Sequence, residues 1–392
     1  MIMKRFFQKK KIKMPIVTTC SNAYVIPQTL GTDFGCGEQK FIHGVHTNST
    51  ERPSHFFHNR QSGPLINFPL REEYLKQNLE KDVTKKKGTW LYAGGLFEHF
   101  GHFLSESIHR LWKYDSSEFN GVVFSCKPNV ENVEHLPSYI LEVLSLFNIS
   151  QDSVFLAKEL VCFEELVVPE QGTVLNGVPH DWYVEHLEKI QKKVPKSDSL
   201  AYEKVWISRE NFLAAGRVLG ADYFIDLLEE DGYNVFRPEE YSLKEQLSII
   251  LSAKKIIWEE GSSMHLLDLI GNLNSCNLIL ARRPHHKAFE KLLKAKCRSS
   301  YAFFDVQCLP DFRRDDDLLF SAVSLFSNGA DFFNLLKETN FYSQLQEKFN
   351  EDRFSSFEKS DVLQFLHLAS NEIRNSDKFS SFLETYLTTR HV

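Results

Sequence analysis

Apolar residues in the second half of the chain fall into two alternating patterns. Short apolar runs, typical of buried strands, alternate with segments in which apolar side chains recur every three or four positions, as on one face of a helix. The predicted strands are 204–209, 233–238, 254–260, 277–282 and 301–306, and the predicted helices are 221–231, 243–253, 286–296 and one that begins at Gly261. This alternation predicts a Rossmann-like parallel sheet covered by helices on both faces. Ser242 and Glu245 form a capping-box pattern in front of the second helix.

The first half of the chain is more mixed. Strand-like runs at 89–95, 121–126 and 165–170 alternate with helical spacing at 102–114, 135–147 and 180–193. A stretch rich in Lys, Pro and Ser follows, which is typical of a linker. From residue 311 onward the chain is polar, with helical spacing and no strand pattern. We therefore predict an α/β domain over 1–195, a Rossmann-like domain over 196–308 and a helical extension over 309–392.

Composition indicates an ordinary globular protein. The chain has 392 residues, enough for two core domains, and 42% hydrophobic and 25% charged residues are usual values. The formal net charge of −6 argues against a general nucleic-acid binder, which would carry a basic surface. Seven cysteines without close pairs favour reduced thiols over a disulfide framework.

The start of the chain bears on location. Lys and Arg residues between Lys4 and Lys13 surround Phe6 and Phe7, and no apolar stretch follows as it would in a secretory signal. We expect a cytoplasmic protein. Two interpretations of the basic cluster stay open, namely a solvated tail and a loose attachment to anionic lipid at the inner face of the membrane.

The segment "GGLFEHFGHFLSESIHRLW" (94–112) combines an apolar stripe with polar chemistry. His102 and Glu106 lie four residues apart, on the side of the predicted helix away from its apolar residues. A histidine in the first turn of a helix is kept neutral by the helix dipole, as a general base must be. Glu106 then orients that imidazole or acts as the base itself. The alternative is a solvated helix face with an ordinary His–Glu contact.

Two arginines follow the first predicted strand of the second half. Arg209 closes the strand and Arg217 lies in the loop after it. At the carboxyl edge of a parallel sheet, guanidinium groups suit a diphosphate, because their fork matches phosphate oxygens. The alternative is ion pairing with Glu210 or Asp222.

Further donor-binding candidates follow two other predicted strands. One strand runs into Gly261, Ser262 and Ser263 at a predicted helix start, which is a ready anion site, and His265 lies one turn further. Glu239 follows another strand, where its carboxylate could accept hydrogen bonds from ribose hydroxyls. The alternatives are an ordinary serine cap and an ordinary structural role for Glu239.

Other polar clusters predict no site. His43, His46, His55 and His58 form two His-x-x-His pairs, but no cysteine or acidic residue stands at a metal-binding spacing from them. The acidic run 315–317 lies outside the predicted sheet. Neither a P-loop nor a G-x-G-x-x-G pattern occurs. We therefore predict no metal site and no bound cofactor.

The order of these motifs resembles glycosyltransferase family 61, in particular its bacterial members that act in capsular polysaccharide biosynthesis. That family carries a histidine with an acidic residue four positions later, often as "GHFLxExxxRLW", and residues 101–112 read "GHFLSESIHRLW". A strand that ends in Ser-Arg and a second arginine follow, here at Arg209 and Arg217. "GYNVFRPEEYSLKEQ" (232–246) and "GSSMH" (261–265) are similar to the remaining motifs.

This resemblance, over about residues 90–275, implies a GT-B fold in which two Rossmann-like domains face each other across a cleft. It also implies an inverting transferase that uses a nucleotide sugar, UDP- or another NDP- or NMP-sugar, without a required metal. The sequence departs from the family at Ala221-Asp222, where Asn-Glu is usual, and at Glu259-Glu260, where histidine or glycine often precedes the Gly-Ser turn.

The sequence therefore predicts sugar transfer to a hydroxyl of an oligosaccharide or lipid-linked saccharide in the synthesis of a bacterial capsule or O-antigen. His102, with Glu106, would deprotonate the acceptor. The arginines and the amides of 261–263 would stabilise the departing diphosphate, with Glu239 and His265 as further donor contacts. Two rival functions stay open: a non-catalytic sugar-binding or scaffold protein of a polysaccharide assembly complex, and a transferase of another activated group such as a phospho-sugar.

Overall fold

The computed structural model of the chain describes residues 14–29, 42–47, 53–65, 68–79, 81–195, 198–213, 216–284, 287–310, 323–370 and 376–390. The chain divides into two units. Unit 1 comprises Met1–Lys193 with Asp268–Gly271, and unit 2 comprises Val194–Leu267 with Asn272–Val392. Each unit has its own sheets and its own apolar core.

Unit 1 is built on a mixed six-stranded sheet. The strands of unit 1 are β1 (Val17–Ile26), β2 (Gly44–His46), β3 (Asn59–Arg60), β4 (Gly63–Pro64), β5 (Thr84–Gly95), β6 (Gly121–Ser125), β7 (Val154–Ala157) and β8 (Val161–Pro169). Of these, β3 and β4 lie outside the six-stranded sheet. The sheet order is β2-β1-β8-β5-β6-β7, in which β8, β5, β6 and β7 are parallel and β1 and β2 are antiparallel additions. The three strands predicted from the sequence are present. The predicted strand 89–95 lies within β5, and the predicted strands 121–126 and 165–170 end one residue after β6 and β8. β3 and β4 form a hairpin.

The helices of unit 1 are short, and the predicted helix 102–114 does not form as a regular helix. The helices are α1 (Phe68–Asn78), α2 (Phe100–His102), α3 (Ser138–Leu146) and α4 (Asp181–Gln191). After the single turn α2, the chain forms a π-helical turn at Phe103–Ser107 and a 3-10 turn at Leu111–Lys113. The helix prediction is wrong here because Glu106, His109 and Arg110 are as buried as the apolar residues, so this segment has no solvated face. Such π-turns occur frequently at functional sites.

Unit 2 contains the predicted parallel sheet. Its strands are β9 (Lys204–Ile207), β10 (Val218–Leu219), β11 (Asn234–Phe236), β12 (Lys255–Glu259), β13 (Leu273–Leu280), β14 (Cys297–Phe303), β15 (Val306–Cys308) and β16 (Ser324–Phe326). The five-stranded sheet has the order β11-β9-β12-β13-β14 with every pair parallel, which is a doubly wound arrangement. The α/β class predicted from the sequence is therefore confirmed.

The helices of unit 2 connect these strands and continue to the end of the described chain. They are α5 (Ala221–Glu230), α6 (Leu243–Ser252), α7 (Ala288–Lys296), α8 (Gly329–Glu338), α9 (Glu351–Ser370) and α10 (Ser376–Arg390). The predicted capping box is present, because the Ser242 hydroxyl accepts from the Glu245 amide and the Glu245 side chain accepts from the Ser242 amide. Among the described residues, no helix has both the length and the apolar content needed to cross a bilayer.

The segment after residue 309 contains a strand, β16, in addition to the predicted helices. β16 pairs in parallel with β10 and antiparallel with β15, in a small sheet that the sequence pattern does not reveal. Phe326, Phe332 and Phe354 pack in one apolar cluster with Trp206 of the parallel sheet. These residues therefore complete the core of unit 2.

Helix α9 docks on the start of α5. Gly220 caps α5 with φ +86°, and its amide donates to Asp361 Oδ2 of α9 at 2.7 Å. A Cβ at Gly220 would lie 3.2 Å from Phe354 Cε2 and 3.3 Å from Glu358 Cβ, both on α9. The backbone at Gly220 is thus constrained by its positive φ and by the close approach of α9.

We predict that Gly220→Ala destabilises the protein more than Gly232→Ala. Gly232 has nearly the same backbone angle, φ +85°, but nothing lies within 4 Å of its Cβ position. The positive φ should cost each variant about 1–2 kcal/mol, and crowding against α9 should add at least about 1 kcal/mol at Gly220. Urea unfolding of both variants measures the difference, and equal midpoints would show that α9 does not pack against Gly220.

Candidate functional site

Glu106 lies at the centre of a buried polar cluster in unit 1. It follows β5 on the π-helical turn, and its side chain has no solvent exposure. Its Oε1 accepts from His102 Nδ1 at 2.7 Å and from Arg60 Nη2 at 2.9 Å. Its Oε2 accepts from His58 Nε2 at 2.7 Å and from Arg60 Nε at 2.8 Å. Each carboxylate oxygen therefore accepts two hydrogen bonds, and the carboxylate is fully solvated by protein groups.

These hydrogen bonds fix the protonation of the cluster. Burial alone would raise the pKa of Glu106, but the hydrogen bonds from His102, His58 and Arg60 outweigh burial and hold this pKa well below its usual range. An ionised carboxylate can only accept hydrogen bonds, so His102 Nδ1 and His58 Nε2 each carry a proton. In the neutral form of His102, the other ring nitrogen, Nε2, is left with its lone pair, and 49% of this side chain is exposed. The His102 ring is therefore accessible to a molecule in solution.

His58 stays neutral for a different reason. It is almost completely buried, and this burial lowers its pKa despite the neighbouring carboxylate. His43, whose ring centre lies 5.6 Å from that of His58, is equally buried, and its pKa is lowered further. The two rings therefore add no positive charge beside Glu106 near neutral pH.

Arg110 holds the loop that delivers His58 and Arg60. Its Nη2 donates to the carbonyl oxygens of His55 at 3.1 Å and Phe57 at 2.6 Å, and its Nε donates to Pro169 O at the end of β8 at 3.1 Å. Gln171 joins the two sides, because its Oε1 accepts from Arg110 Nη2 at 3.1 Å and from the amide of Asn59 at 2.8 Å. Arg110 thus acts within the protein, as a buried support of the cluster.

The glycines that end β5 let other groups approach the cluster. Gly94 has φ +105°, and a Cβ there would lie 3.0 Å from Arg110 Nη1. A Cβ at Gly95 would lie 2.9 Å from His43 Cε1. Larger residues at either position would displace the groups that pack behind Glu106.

The spacing of His102 and Glu106 predicts their contact, whereas no sequence pattern indicates that His58 and Arg60 bind Glu106. They precede Glu106 by 48 and 46 residues, so no local spacing links them to it. Their one sequence signal was the His-x-x-His pair that ends at His58, which was considered only for metal binding. Within the described part of the chain, no group of three or more His, Cys, Asp or Glu side chains is arranged to hold a metal ion.

A second polar cluster lies at the carboxyl edge of the parallel sheet in unit 2. The chain runs from β9 to β11 on one side and from β12 to β13 on the other, so the strand order reverses between β9 and β12. Doubly wound sheets bind ligands at this point. Arg209 follows β9 and Gly261 follows β12, and a Cβ at Gly261 would lie 2.1 Å from Arg209 Nη1. Only glycine leaves room for the guanidinium group at this position.

Arg282 and Arg283, which the sequence analysis did not single out, join this cluster from the end of β13. Arg283 Nε donates to Glu260 Oε1 at 2.8 Å, and the backbone amide of Arg282 donates to Glu260 Oε2 at 3.0 Å. Burial lowers the pKa of Arg209, and it lowers the pKa of Arg282 to about 10. Guanidinium groups that have lost hydration in this way are suited to bind an anion.

The two acidic residues before Gly261 are turned toward partners in the protein. Both are buried. Glu260 accepts from the two arginines after β13, while Glu259 Oε1 accepts from Trp206 Nε1 at 2.8 Å and its Oε2 lies 3.8 Å from Arg217 Nε. The two acidic residues at 259–260, where the sequence departs from the family, are therefore compensated by partners in the protein.

Arg217 forms the ion pair that the sequence analysis left open. Its guanidinium group pairs with both carboxylate oxygens of Asp222, with Nη1 3.3 Å from Oδ2, and its side chain is only 3% exposed. Although burial acts in the opposite direction, Glu259 and Asp222 raise the pKa of Arg217 above its usual value. Donor binding by Arg217 stays a prediction from the sequence that these contacts do not support.

Glu239 belongs to the edge of the cluster in unit 2. It is exposed on the 3-10 turn Pro238–Glu240, and its Oε1 accepts from Asn211 Nδ2 at 2.7 Å. Gln246 Nε2 donates to Pro238 O at 2.8 Å and so fixes this turn. Glu239 also acts electrostatically on Arg209.

The Gly-Ser-Ser turn opens a 3-10 helix instead of the predicted α-helix. That helix spans Ser262–Leu269, with Ser262 and Ser263 half-buried in its first turn. His265 packs edge-on against Phe289, with ring centres 5.0 Å apart. Their roles in donor binding stay predictions.

Comparison with known proteins identifies the central part of the chain. Residues 100–269 match the family model described as Glycosyltransferase 61. Every site residue predicted from the sequence lies within these residues, whereas His58, Arg60, Arg282 and Arg283 lie outside them. No curated protein matches the chain at a significant level.

We predict that Glu106→Gln destabilises the protein by about 2–3 kcal/mol at pH 7, because an amide has one acceptor oxygen instead of two and lacks the negative charge that pairs with Arg60. The pKa of Glu106 is lower in the folded than in the unfolded protein, so its contribution is complete above the ordinary value of 4.5 and is lost as the pH falls below it. Urea unfolding should therefore show a difference between wild type and variant that shrinks below about pH 4.5.

The matched control is Glu118→Gln. The Glu118 side chain is 54% exposed and pairs with Lys113, so its removal should change stability by no more than about 0.5 kcal/mol. A Glu106 variant as stable as this control would contradict the buried, ionised state of Glu106.

Proposed function

We propose that this chain, whose residues 100–269 match glycosyltransferase family 61, is a glycosyltransferase that transfers a sugar from a nucleotide donor to a saccharide hydroxyl with inversion at the anomeric carbon. In this reaction the acceptor oxygen attacks the anomeric carbon from the side opposite the nucleotide. The bond to the departing phosphate breaks as the new glycosidic bond forms. A base must take the acceptor proton, and positive charge must stabilise the leaving phosphate.

His102 is the base in this proposal, and the observation that carries it is the hydrogen bond between His102 Nδ1 and Glu106 Oε1 at 2.7 Å. This bond turns the other ring nitrogen, Nε2, toward an acceptor hydroxyl. Glu106 is a poor base by comparison, because its carboxylate is buried, its oxygens already accept four hydrogen bonds, and its pKa is depressed. Glu106 therefore orients the His102 ring and stabilises the imidazolium that forms during transfer.

In this proposal the positive charge that stabilises the leaving phosphate comes from three arginines, Arg209, Arg282 and Arg283. The backbone amides of residues 261–263 assist them. These groups belong to the carboxyl edge of β9, β12 and β13, where doubly wound sheets bind phosphates. The donor is a UDP-sugar or another NDP- or NMP-sugar. Arg217 supports the site from within, through Asp222 and Glu259. Because the arginines supply the charge that a metal ion would supply, we propose a metal-independent reaction.

Unit 1 binds the acceptor and unit 2 the nucleotide in this proposal, as in a GT-B enzyme. The acceptor is an oligosaccharide or a lipid-linked saccharide of a bacterial capsule or O-antigen, and the enzyme works in the cytoplasm at the inner face of the membrane. The basic cluster Lys4–Lys13, which supports membrane attachment, lies outside the residues that the structure describes.

We predict that His102→Ala lowers turnover about 10²–10⁴-fold, the usual effect of removing a general base. The variant should still fold, because three of the four hydrogen bonds to Glu106 remain and the His102 side chain is half-exposed. Incubation with a panel of nucleotide sugars and oligosaccharide acceptors, followed by mass spectrometry of the products, measures turnover. It also identifies the transferred group, so a phospho-sugar transferase would be recognised by product mass.

His135→Ala is the matched control for this experiment, because His135 is an exposed histidine of unit 1 outside the cluster. It should keep wild-type turnover. Equal turnover of the His102 and His135 variants would overturn the assignment of the base. A wild-type protein that binds no nucleotide and transfers nothing would favour a scaffold function.

We predict that Arg209→Met weakens the binding of a nucleoside diphosphate about 10- to 100-fold, the value of a charge-assisted hydrogen bond to phosphate. Isothermal titration calorimetry with UDP, GDP and CMP measures this affinity and compares the three nucleotides. Arg353→Met is the control, because Arg353 is an exposed arginine of unit 2 that pairs with Asp226 at 3.5 Å. Unchanged affinity in the Arg209 variant would exclude Arg209 as a donor contact.

A further inference from the structure

Arg60 contacts Glu106 through two hydrogen bonds and belongs to a segment outside the residues that match the family. It lies on β3, and its guanidinium fork contacts both carboxylate oxygens, with Nε–Oε2 at 2.8 Å and Nη2–Oε1 at 2.9 Å. The Arg60 side chain is 28% exposed, whereas that of Glu106 is fully buried. An arginine fork of this kind fixes both the position and the ionisation of a carboxylate.

The charge of Arg60 matters for the proposed base as well as for the position of Glu106. A carboxylate beside an imidazole favours the protonated, positively charged ring. A base, however, must be unprotonated before it can accept a proton. The positive charge of Arg60 on the same carboxylate opposes this effect.

Other histidine rings lie near His102 and Glu106. The His99 ring lies 5.5 Å from the His102 ring on the same turn. On the far side of Glu106, burial keeps His58 and His43 neutral, and Arg110 acts electrostatically on these two buried rings. Arg60 is therefore the cation in direct contact with the carboxylate that His102 uses.

We propose that Arg60 is a positioning residue that offsets the charge of Glu106 and thereby keeps His102 available as the unprotonated base. This inference rests on the proposed function, because it assumes that His102 accepts the acceptor proton. It adds a role that Arg60 exerts through Glu106.

The test compares the pH profiles of kcat/KM for four full-length proteins: wild type, Arg60→Met, Arg60→Lys and Arg353→Met. Arg60→Met removes the charge and should move the acidic limb of the profile to higher pH by about one unit, with activity recovering at alkaline pH. Arg60→Lys keeps the charge but loses the fork, so it should lower kcat without moving the limb. Arg353→Met should match wild type in both respects.

A purely structural role for Arg60 gives a different result. In that case Arg60→Met would lower kcat/KM by the same factor at every pH, and the acidic limb would stay in place, which would overturn the inference. Thermal unfolding of each variant at the assay pH values confirms that the folded protein is compared. The His102→Ala variant distinguishes a failure of the proposed function from a failure of this inference. If His102→Ala is active, the proposed base is refuted. If His102→Ala is inactive and the pH profile of Arg60→Met is not shifted, only the role of Arg60 is refuted.

Discussion

A carboxylate without solvent exposure is costly to keep ionised unless donors surround it, and the local structure of unit 1 follows from this requirement at Glu106. The turn that carries Glu106 supplies one donor, His102. The other two, His58 and Arg60, come from the loop and hairpin around β3. That loop must therefore be fastened to the end of the sheet, and Arg110 does so through its backbone carbonyls. The conformation of a distant segment thus depends on one buried charge.

The same requirement explains why the sequence predicts the strands of unit 1 better than the segment after β5. Periodicity treats polar positions as exposed, and here Glu106, His109 and Arg110 are buried with partners from elsewhere in the chain. His109, for example, donates through Nε2 to Ser105 O and accepts through Nδ1 from the Tyr183 hydroxyl. The π-helical turn directs such neighbouring side chains to different partners, which a regular helix with one polar face would not do. No local pattern could indicate this.

Unit 2 was easier to predict because its signals are local. Each strand of the parallel sheet is a short apolar run, and each connecting helix carries its own stripe and, at Ser242, its own cap. The features of unit 2 that no sequence pattern predicts depend on tertiary pairing. β16 becomes a strand only because β10 and β15 flank it. Arg282 and Arg283 become part of a site only because β13 ends beside β12.

In both clusters a buried acidic residue is compensated by groups from another part of the chain. In unit 1, Arg60 and His58 stabilise the carboxylate that orients His102. In unit 2, Glu260 is held by arginines of the next strand, so the acid beside Gly261 is compensated. In both cases the compensating residues lie outside residues 100–269. A chain trimmed to those residues would keep Glu106 and Glu260 but would lose the residues that compensate their charges, His58, Arg60, Arg282 and Arg283. The residues that match the family therefore carry the two buried acids, while the flanking segments supply the groups that compensate them.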